Sequence, residues 1–200
     1  DALLNFNLAE DKQQRDKYLG ICQEQLQRLS GLVEQILSMS MERRKTFRLH
    51  PEALSLHDLF PALIEQHKLK AGKPVEINLD IAPEDLTIIA DRTHFSNILS
   101  NLIENAIKYS GSGVNIRVVV IRNDKLIELT VTDDGVGISA DEQTKVFGKF
   151  YRSVHLPDKQ IPGLGLGLSY VRQIAEAHHG QVSLRSEVGK GTEVTVGLPI

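Results

Sequence analysis

Three Gly-x-Gly units crowd the C-terminal half of this chain and fix where it has to turn: Gly135-Val136-Gly137, Gly163-Leu164-Gly165 running on into Leu166-Gly167, and Gly189-Lys190-Gly191. The first follows a strand-like run and precedes what reads as a helix. The second leads into a helix, and the third sits between two strand-like runs. One hairpin turn would account for Gly189 and Gly191, but three units exceed what hairpins need. Backbone approaching a ligand is the better account, because glycine removes the Cβ that would block the approach. Gly167, opening a helix, would aim free N–H groups and the positive dipole end at phosphate. Gly135-Val136-Gly137-Ile138-Ser139-Ala140 superficially fits a dinucleotide-binding turn, yet that turn needs a further parallel strand. The residues that follow, Phe147-Gly148-Lys149-Phe150-Tyr151-Arg152, run instead into a polar, proline-flanked loop. In Gly163–Gly167 the third glycine comes one residue too soon for that fingerprint. A Walker loop is excluded at Gly189-Lys190, where Gly191 replaces the required Ser or Thr.

Around these turns the sequence divides in two. Residues 1–48 contain no proline and are rich in Gln, Arg, Glu and Leu, which places a boundary near Leu49 and domains over 1–48 and 49–200. Asp11 and Gln14 fit a capping box opening a long helix. Cys22, Leu26, Leu29, Val33 and Ile36 then alternate four and three apart, with Leu32 and Leu37 widening the stripe. So broad a stripe suits a four-helix bundle shared between two chains, and Ala2-Leu3-Leu4 reads as the tail of a preceding antiparallel helix. In the second part Val75–Ile81 and Leu86–Ala90 read as strands, and Thr93–Tyr109 as a helix. Val114–Ile121 and Leu126–Thr132 form a hairpin turning at Asn123-Asp124. Gly167–His178 is a helix, and Gln181–Ser186 pairs with Thr192–Leu198. This order predicts an α+β fold, a two-layer sandwich whose mixed sheet carries helices on one face.

A net charge of −3 argues against nucleic acid or an anionic membrane as partner, since both need a basic face. Cys22 is the only cysteine, so no disulfide framework exists and a reducing, cytoplasmic setting is expected. No stretch reaches the roughly 18 apolar residues of a membrane span. Asp1 opens without a signal-peptide pattern, and the chain reads as a fragment of something longer.

The helix over Asn101-Leu102-Ile103-Glu104-Asn105-Ala106-Ile107-Lys108-Tyr109 sets Asn101, Asn105 and Lys108 on one face and Leu99, Leu102, Ile103 and Ala106 on the other. Asparagine has mediocre helix propensity, so two aligned with a lysine suggest a polar site. Amide oxygens are hard ligands suited to Mg²⁺, and Lys108 can sit against phosphate as a point charge.

With these residues in place the chain resembles the sensor histidine kinases of two-component systems over nearly its whole length. The N box resembles Asn101–Tyr109, the G1 box Asp133-Asp134-Gly135-Val136-Gly137, and the F box Phe147–Arg152. The G2 box is similar to Gly163-Leu164-Gly165-Leu166-Gly167-Leu168, and the last glycine box to Ser186–Thr192. The resemblance implies the Bergerat (GHKL) ATP-binding fold. It implies that Asp133 accepts from the adenine amino group, that Asn105 coordinates Mg²⁺, and that Asn101, Lys108, Tyr109 and Arg152 lie around the phosphates. The boxes add Gly135, Gly137, Ile138, Phe147, Phe150, Gly163, Leu164, Gly165, Leu166, Gly167, Leu168 and Thr192 to the expected nucleotide contacts. Residues between Arg152 and Gly163, with Pro157 and Pro162, resemble a mobile ATP lid. Residues 11–46 resemble the second helix of the dimerisation and phosphotransfer domain, with the segment bearing the phosphoacceptor histidine expected to lie upstream. The expected activity is donation of the ATP γ-phosphoryl group to that histidine, for relay to a response-regulator receiver domain. The expected assembly is a homodimer. Self-phosphorylation of this chain alone is not expected, and the resemblance leaves open an inner-membrane anchor for the parent protein.

Among the histidines, His57-Asp58-Leu59-Phe60-Pro61 imitates an acceptor motif but lacks its basic residue and follows the long helix. Ser55 and Asp58 read there as a capping box, with Pro61 near the first turn. His178 and His179, at a helix end, are expected to serve as dipole partners. Two rival functions share the fold: a gyrase- or Hsp90-type ATPase, and an inactive ATP-binding regulatory module. The ATPase needs a water-activating glutamate four residues before the metal asparagine, where this chain has Asn101. Glu104, next to Asn105, points off that face.

Overall fold

The computed structural model describes residues 49–153, 161 and 163–200. The expected helix after Asp11, the bundle and the boundary near Leu49 lie outside the described residues, as does most of the expected lid.

Period-two alternation builds the sheet. Strand β4 (Val114–Arg122) buries Val114, Ile116, Val118 and Val120, and β5 (Leu126–Asp133) buries Ile127, Leu129 and Val131. Between them Asn123 Oδ1 accepts from the N–H groups of Lys125 (3.0 Å) and Leu126 (2.8 Å), which closes the hairpin without a glycine. Strand β7 (Gly191–Pro199) lies beside β5 and contributes Val194, Val196 and Leu198, while β6 (Gln181–Glu187) is the edge beyond it. On the other side β2 (Val75–Ala82) pairs in parallel with β4, giving the order β2-β4-β5-β7-β6 with every other pairing antiparallel.

Three helices bury their apolar stripes against this inner face. They are α1 (Leu56–Lys70), α2 (Arg92–Lys108) and α3 (Gly167–Ala177). Ser55 Oγ accepts from Asp58 N at the start of α1, as the capping spacing predicts. Asp91 does the same for α2 through His94 N at 3.0 Å. Phe60 of α1 stacks on Phe95 of α2 with ring centroids 5.8 Å apart, pinning the two helices together. Side chains of this size contribute about 1.5–3 kcal/mol each when fully buried. Among the described residues no helix is long and apolar enough to cross a membrane.

Two local expectations differ from the structure. The run read as Leu86–Ala90 is β3 (Thr87–Asp91), and it leaves the main sheet to pair antiparallel with β1 (Pro51–Ser55). β1 carries no alternation and begins with proline, which is tolerated at the first position of a strand, so no sequence signal marked it. The helix expected after Gly135–Ala140 is replaced by single turns: Lys145 N donates to Glu142 O at 2.8 Å and Gly148 N to Lys145 O at 2.8 Å. The run then ends at Phe150, whose φ of 62° leaves the helical region.

Candidate functional site

The C-terminal end of β5 and the N-terminal end of β7 define the site. Asp133 is the last residue of β5 and pairs in register with Thr192 of β7. Its Oδ1 accepts from Gly135 N (2.9 Å) and Thr192 N (3.2 Å), which fixes the carboxyl orientation, and Oδ2 takes no donor among the described residues. Burial pushes the Asp133 carboxyl above its ordinary value, outweighing the two N–H groups that favour its charge. The neighbouring Asp134 is exposed and does a different job. It binds both the backbone and the side-chain amide of Asn115, and those bonds hold its pKa down.

The glycine turns then close over one another. A Cβ on Gly191 would stand 1.9 Å from Asp133 O, and one on Gly137 would stand 2.0 Å from Glu187 O. Both residues also have positive φ. Close approach to the protein's own backbone is therefore what requires glycine at these two positions, where the sequence suggested approach to a ligand. Val136 N donates to Tyr109 O (2.9 Å) and Gly189 N to Val136 O (2.9 Å), so the first turn is bonded to the end of α2 and to the last glycine turn. Ser186 completes the joint: its Oγ accepts from Ile138 N at 2.8 Å and donates to Gly191 O at 2.7 Å.

Across the cleft, α2 presents Asn101, Asn105, Lys108 and Tyr109, all half-buried, on the face that the i, i+4 spacing assigns them. Asn101 Nδ2 donates to Asn97 O (2.8 Å), leaving its Oδ1 beside Gly167, where an added Cβ would stand 2.8 Å away. Helix α3 begins there, and its N-cap residue Leu166 makes no side-chain capping bond. Among the described residues nothing outside the helix accepts from its first-turn N–H groups, which suit an acceptor there. Lys108 reaches toward Gly163, its Nζ 3.2 Å from where a Cβ would be.

These elements enclose a cleft of about 890 Å³, counting the part open to solvent. Of the expected contacts it brings together Asn105, Tyr109, Asp133, Gly137, Ile138, Arg152, Gly165, Gly167, Leu168 and Thr192. Gly135 lies behind the lining, buried against Tyr109 O. Asn101, Lys108, Gly163, Leu164 and Leu166 stand outside it, Asn101 and Lys108 beside the second glycine turn. Phe147 packs under the guanidinium of Arg172, 5.7 Å from ring centroid to Cζ, and Phe150 is 46% exposed, so neither enters the cleft.

Sequence reasoning missed the apolar floor of Leu102, Val131, Val136, Val146 and Val194, together with Tyr151 and Ser153. The valines look like any sheet or turn residue in sequence. It also missed Glu142, which is buried and whose only signal is its capping-box spacing from Ser139. His178 has two partners at the end of α3. Its Nδ1 donates to Ile174 O (2.9 Å) and its Nε2 accepts from Asp91 N (3.3 Å). The ring thus caps a carbonyl at the end of α3 and ties that end to the start of α2. His57 lies exposed in the first turn of α1 and away from the cleft.

Comparison with known proteins decides the family. The profile of the histidine kinase-, DNA gyrase B- and HSP90-like ATPases matches residues 90–200, from the end of β3 to the C-terminal residue. The chain belongs to this family. Within the histidine kinase-, gyrase- and HSP90-like ATPases, its relatives are sensor kinases. It is 34% identical over 187 residues to the adaptive-response sensory kinase SasA of Parasynechococcus marenigrum (strain WH8102), covering 92% of this chain and 48% of that one. The full-length structure of ShkA in complex with AMPPNP is matched with a TM-score of 0.80 and 25% identity, over 94% of this chain and 39% of that one. Histidine kinase ThkA in complex with response regulator protein TrrA is matched with a TM-score of 0.70 and 25% identity, over 95% and 52%. The chain spans about a third to a half of the length of the curated relatives it matches, from 31% to 48%.

Proposed function

We propose that this chain binds ATP in the cleft and serves as the phosphoryl-donor part of a sensor histidine kinase. One observation carries the reading: Asp133, its Oδ2 unclaimed, and the uncapped first turn of α3 line the same cleft. A carboxylate oxygen suits an exocyclic amine, and a bare helix N-terminus suits phosphate. The ligand in the ShkA structure is an ATP analogue, which supports the same occupant here.

Asn105 fits a metal that arrives with the nucleotide. Among the described residues no group of three or more His, Cys, Asp or Glu could hold a cation unaided, and Mg²⁺ commonly takes one or two protein oxygens with phosphate and water. In this reading Asn105 Oδ1 contributes that oxygen. Mg²⁺ would supply charge neutralisation on the phosphates. Lys108 and Arg152 add positive charge from α2 and from the loop after Phe150. A ring nitrogen of the acceptor histidine displaces ADP in line at the γ-phosphorus, gaining the phosphoryl group, with positioning and electrostatics supplying most of the catalysis. Among the described residues no histidine lines the cleft, and in this reading the acceptor histidine would be carried on an upstream segment of the parent protein. The phosphohistidine would pass its group to a response-regulator receiver domain, the partner type seen with ThkA. Residues 1–48 would supply a helical dimerisation segment, and 49–200 the catalytic domain. Glu104 is exposed and absent from the cleft lining, so the ATPase alternative gains no water-activating group from it.

Isothermal titration of this chain with ATP, with and without Mg²⁺, tests the binding half. Mg²⁺-dependent transfer of labelled γ-phosphate to a histidine in a longer form of the protein tests the kinase half. Labelled phosphate released only to water would favour the ATPase.

A further inference from the structure

Glu142 is 2% exposed, yet it lies in the irregular run that joins the first glycine turn to Arg152. Its carboxyl group collects hydroxyl donors from three directions. Tyr151 OH donates to Oε1 at 2.8 Å, and Oε2 accepts from Ser153 Oγ at 2.6 Å and Ser139 Oγ at 3.1 Å. Tyr151 and Ser153 both line the cleft, and between them stands Arg152, exposed and also lining it. Anchoring residues 151 and 153 on one buried acceptor fixes the chain on both sides of Arg152 and so sets the direction of residue 152. The Tyr151 backbone in turn carries the second glycine turn, because an added Cβ on Gly165 would stand less than 2.5 Å from Tyr151 O. Arg152 closes the same loop by donating from Nη2 to Ile161 O.

We propose that Glu142 is a positioning residue for the nucleotide cleft: by holding Tyr151 and Ser153 from below, it sets the direction of Arg152 and seats Gly165 beneath α3. The proposal rests on the ATP-binding reading above. An apolar side chain at 142 would remove the acceptor that these three hydroxyls share, and losing that common anchor favours rearrangement of the segment that carries them. Glutamine keeps the shape and one acceptor oxygen, and the hydroxyls can rotate to meet its amide.

The test compares wild type, Glu142→Gln and Glu142→Ala in the full chain, by titration with Mg·ATP well below each protein's Tm and by hydrogen exchange. Glu142→Ala is expected to weaken ATP binding by about tenfold or more, and Glu142→Gln to stay within about threefold of wild type. Exchange at residues 151–153 and 165–167 should accelerate in Glu142→Ala while that of β4 and β5 does not. A purely structural glutamate would lower Tm and leave the affinity of the folded protein unchanged. That outcome, or acceleration spread evenly over the sheet, overturns the proposal. If Glu142→Ala does not fold, the double variant Tyr151→Phe, Ser153→Ala removes the same two bonds with the glutamate in place, and wild-type affinity there overturns it equally. A wild-type chain that binds no ATP overturns both readings, whereas equal binding by wild type and Glu142→Ala overturns only the role of Glu142.

Discussion

Asp133→Asn separates what Asp133 does for the nucleotide from what it does for the fold. The carboxyl Oδ1 holds Gly135 N at 2.9 Å and Thr192 N at 3.2 Å, and an amide Oδ1 can keep both bonds. The change falls on the other atom, where an acceptor oxygen becomes an NH₂ donor that, in the proposed binding mode, would face the adenine amino group. Hydrogen bonds to charged groups contribute about 1.5–3 kcal/mol, so the loss should raise the Kd for ATP by roughly 10- to 150-fold. Stability should move the other way. Burial raises the folded-state pKa of Asp133 above 3.8, so the folded protein holds its proton more tightly than the unfolded chain does. Stability from this group is fully present below the unfolded value and is lost as pH rises through the folded one. An amide does not ionise and escapes that loss, so Asp133→Asn is expected to melt no lower than wild type at neutral pH. Affinity carries a second signature: the wild-type advantage should shrink as acidification protonates Asp133, beginning above the pH at which an ordinary aspartate titrates. Titration calorimetry of both proteins against ATP, from neutral pH downward, with melting curves in the same buffers, measures all three effects. An unchanged Kd would refute the assignment of Asp133 to the base. A fall in Tm matching the loss of affinity would show the carboxylate to be structural.

Four other outcomes follow from the geometry. Asn105→Ala should abolish the Mg²⁺-dependent part of ATP affinity and leave metal-free ADP binding nearly intact, as read by titration with and without chelator. Gly191→Ala should cost about 3 kcal/mol or more or prevent folding, because its Cβ would strike Asp133 O, whereas Gly189→Ala meets nothing within 4 Å and should cost only the strain of its positive φ, about 1 kcal/mol. Denaturant melts of the two variants decide this. Burial lowers the pKa of His67, whose Nε2 lies 3.1 Å from Ser100 Oγ, so stability should fall as pH drops below 6.5, and His67→Gln should flatten that part of the stability–pH curve. Phe95→Ala should destabilise by about 3–5 kcal/mol through the cavity it leaves beside Phe60, as measured by urea unfolding.

What the sequence disclosed and what it hid divide along a physical line. Asn101, Asn105 and Lys108 were legible as a group because a regular helix converts spacing into a shared face, whereas Asp133 was reached only through the family resemblance. Both hairpins around β5 and β7 followed from alternation. Tyr151, Ser153 and Glu142 were not legible, since they meet in a stretch without helical or strand periodicity and nothing in their spacing announces a common acceptor. The glycines sit between these cases. Their number suggested approach to a ligand, but at Gly137 and Gly191 the close approach is to Glu187 and Asp133 of the chain itself. Those turns therefore brace the carboxylate and the end of α2 against each other. A substitution there should disturb binding by moving Asp133 and Tyr109 together, and it should not be rescued by a ligand trimmed to relieve a clash.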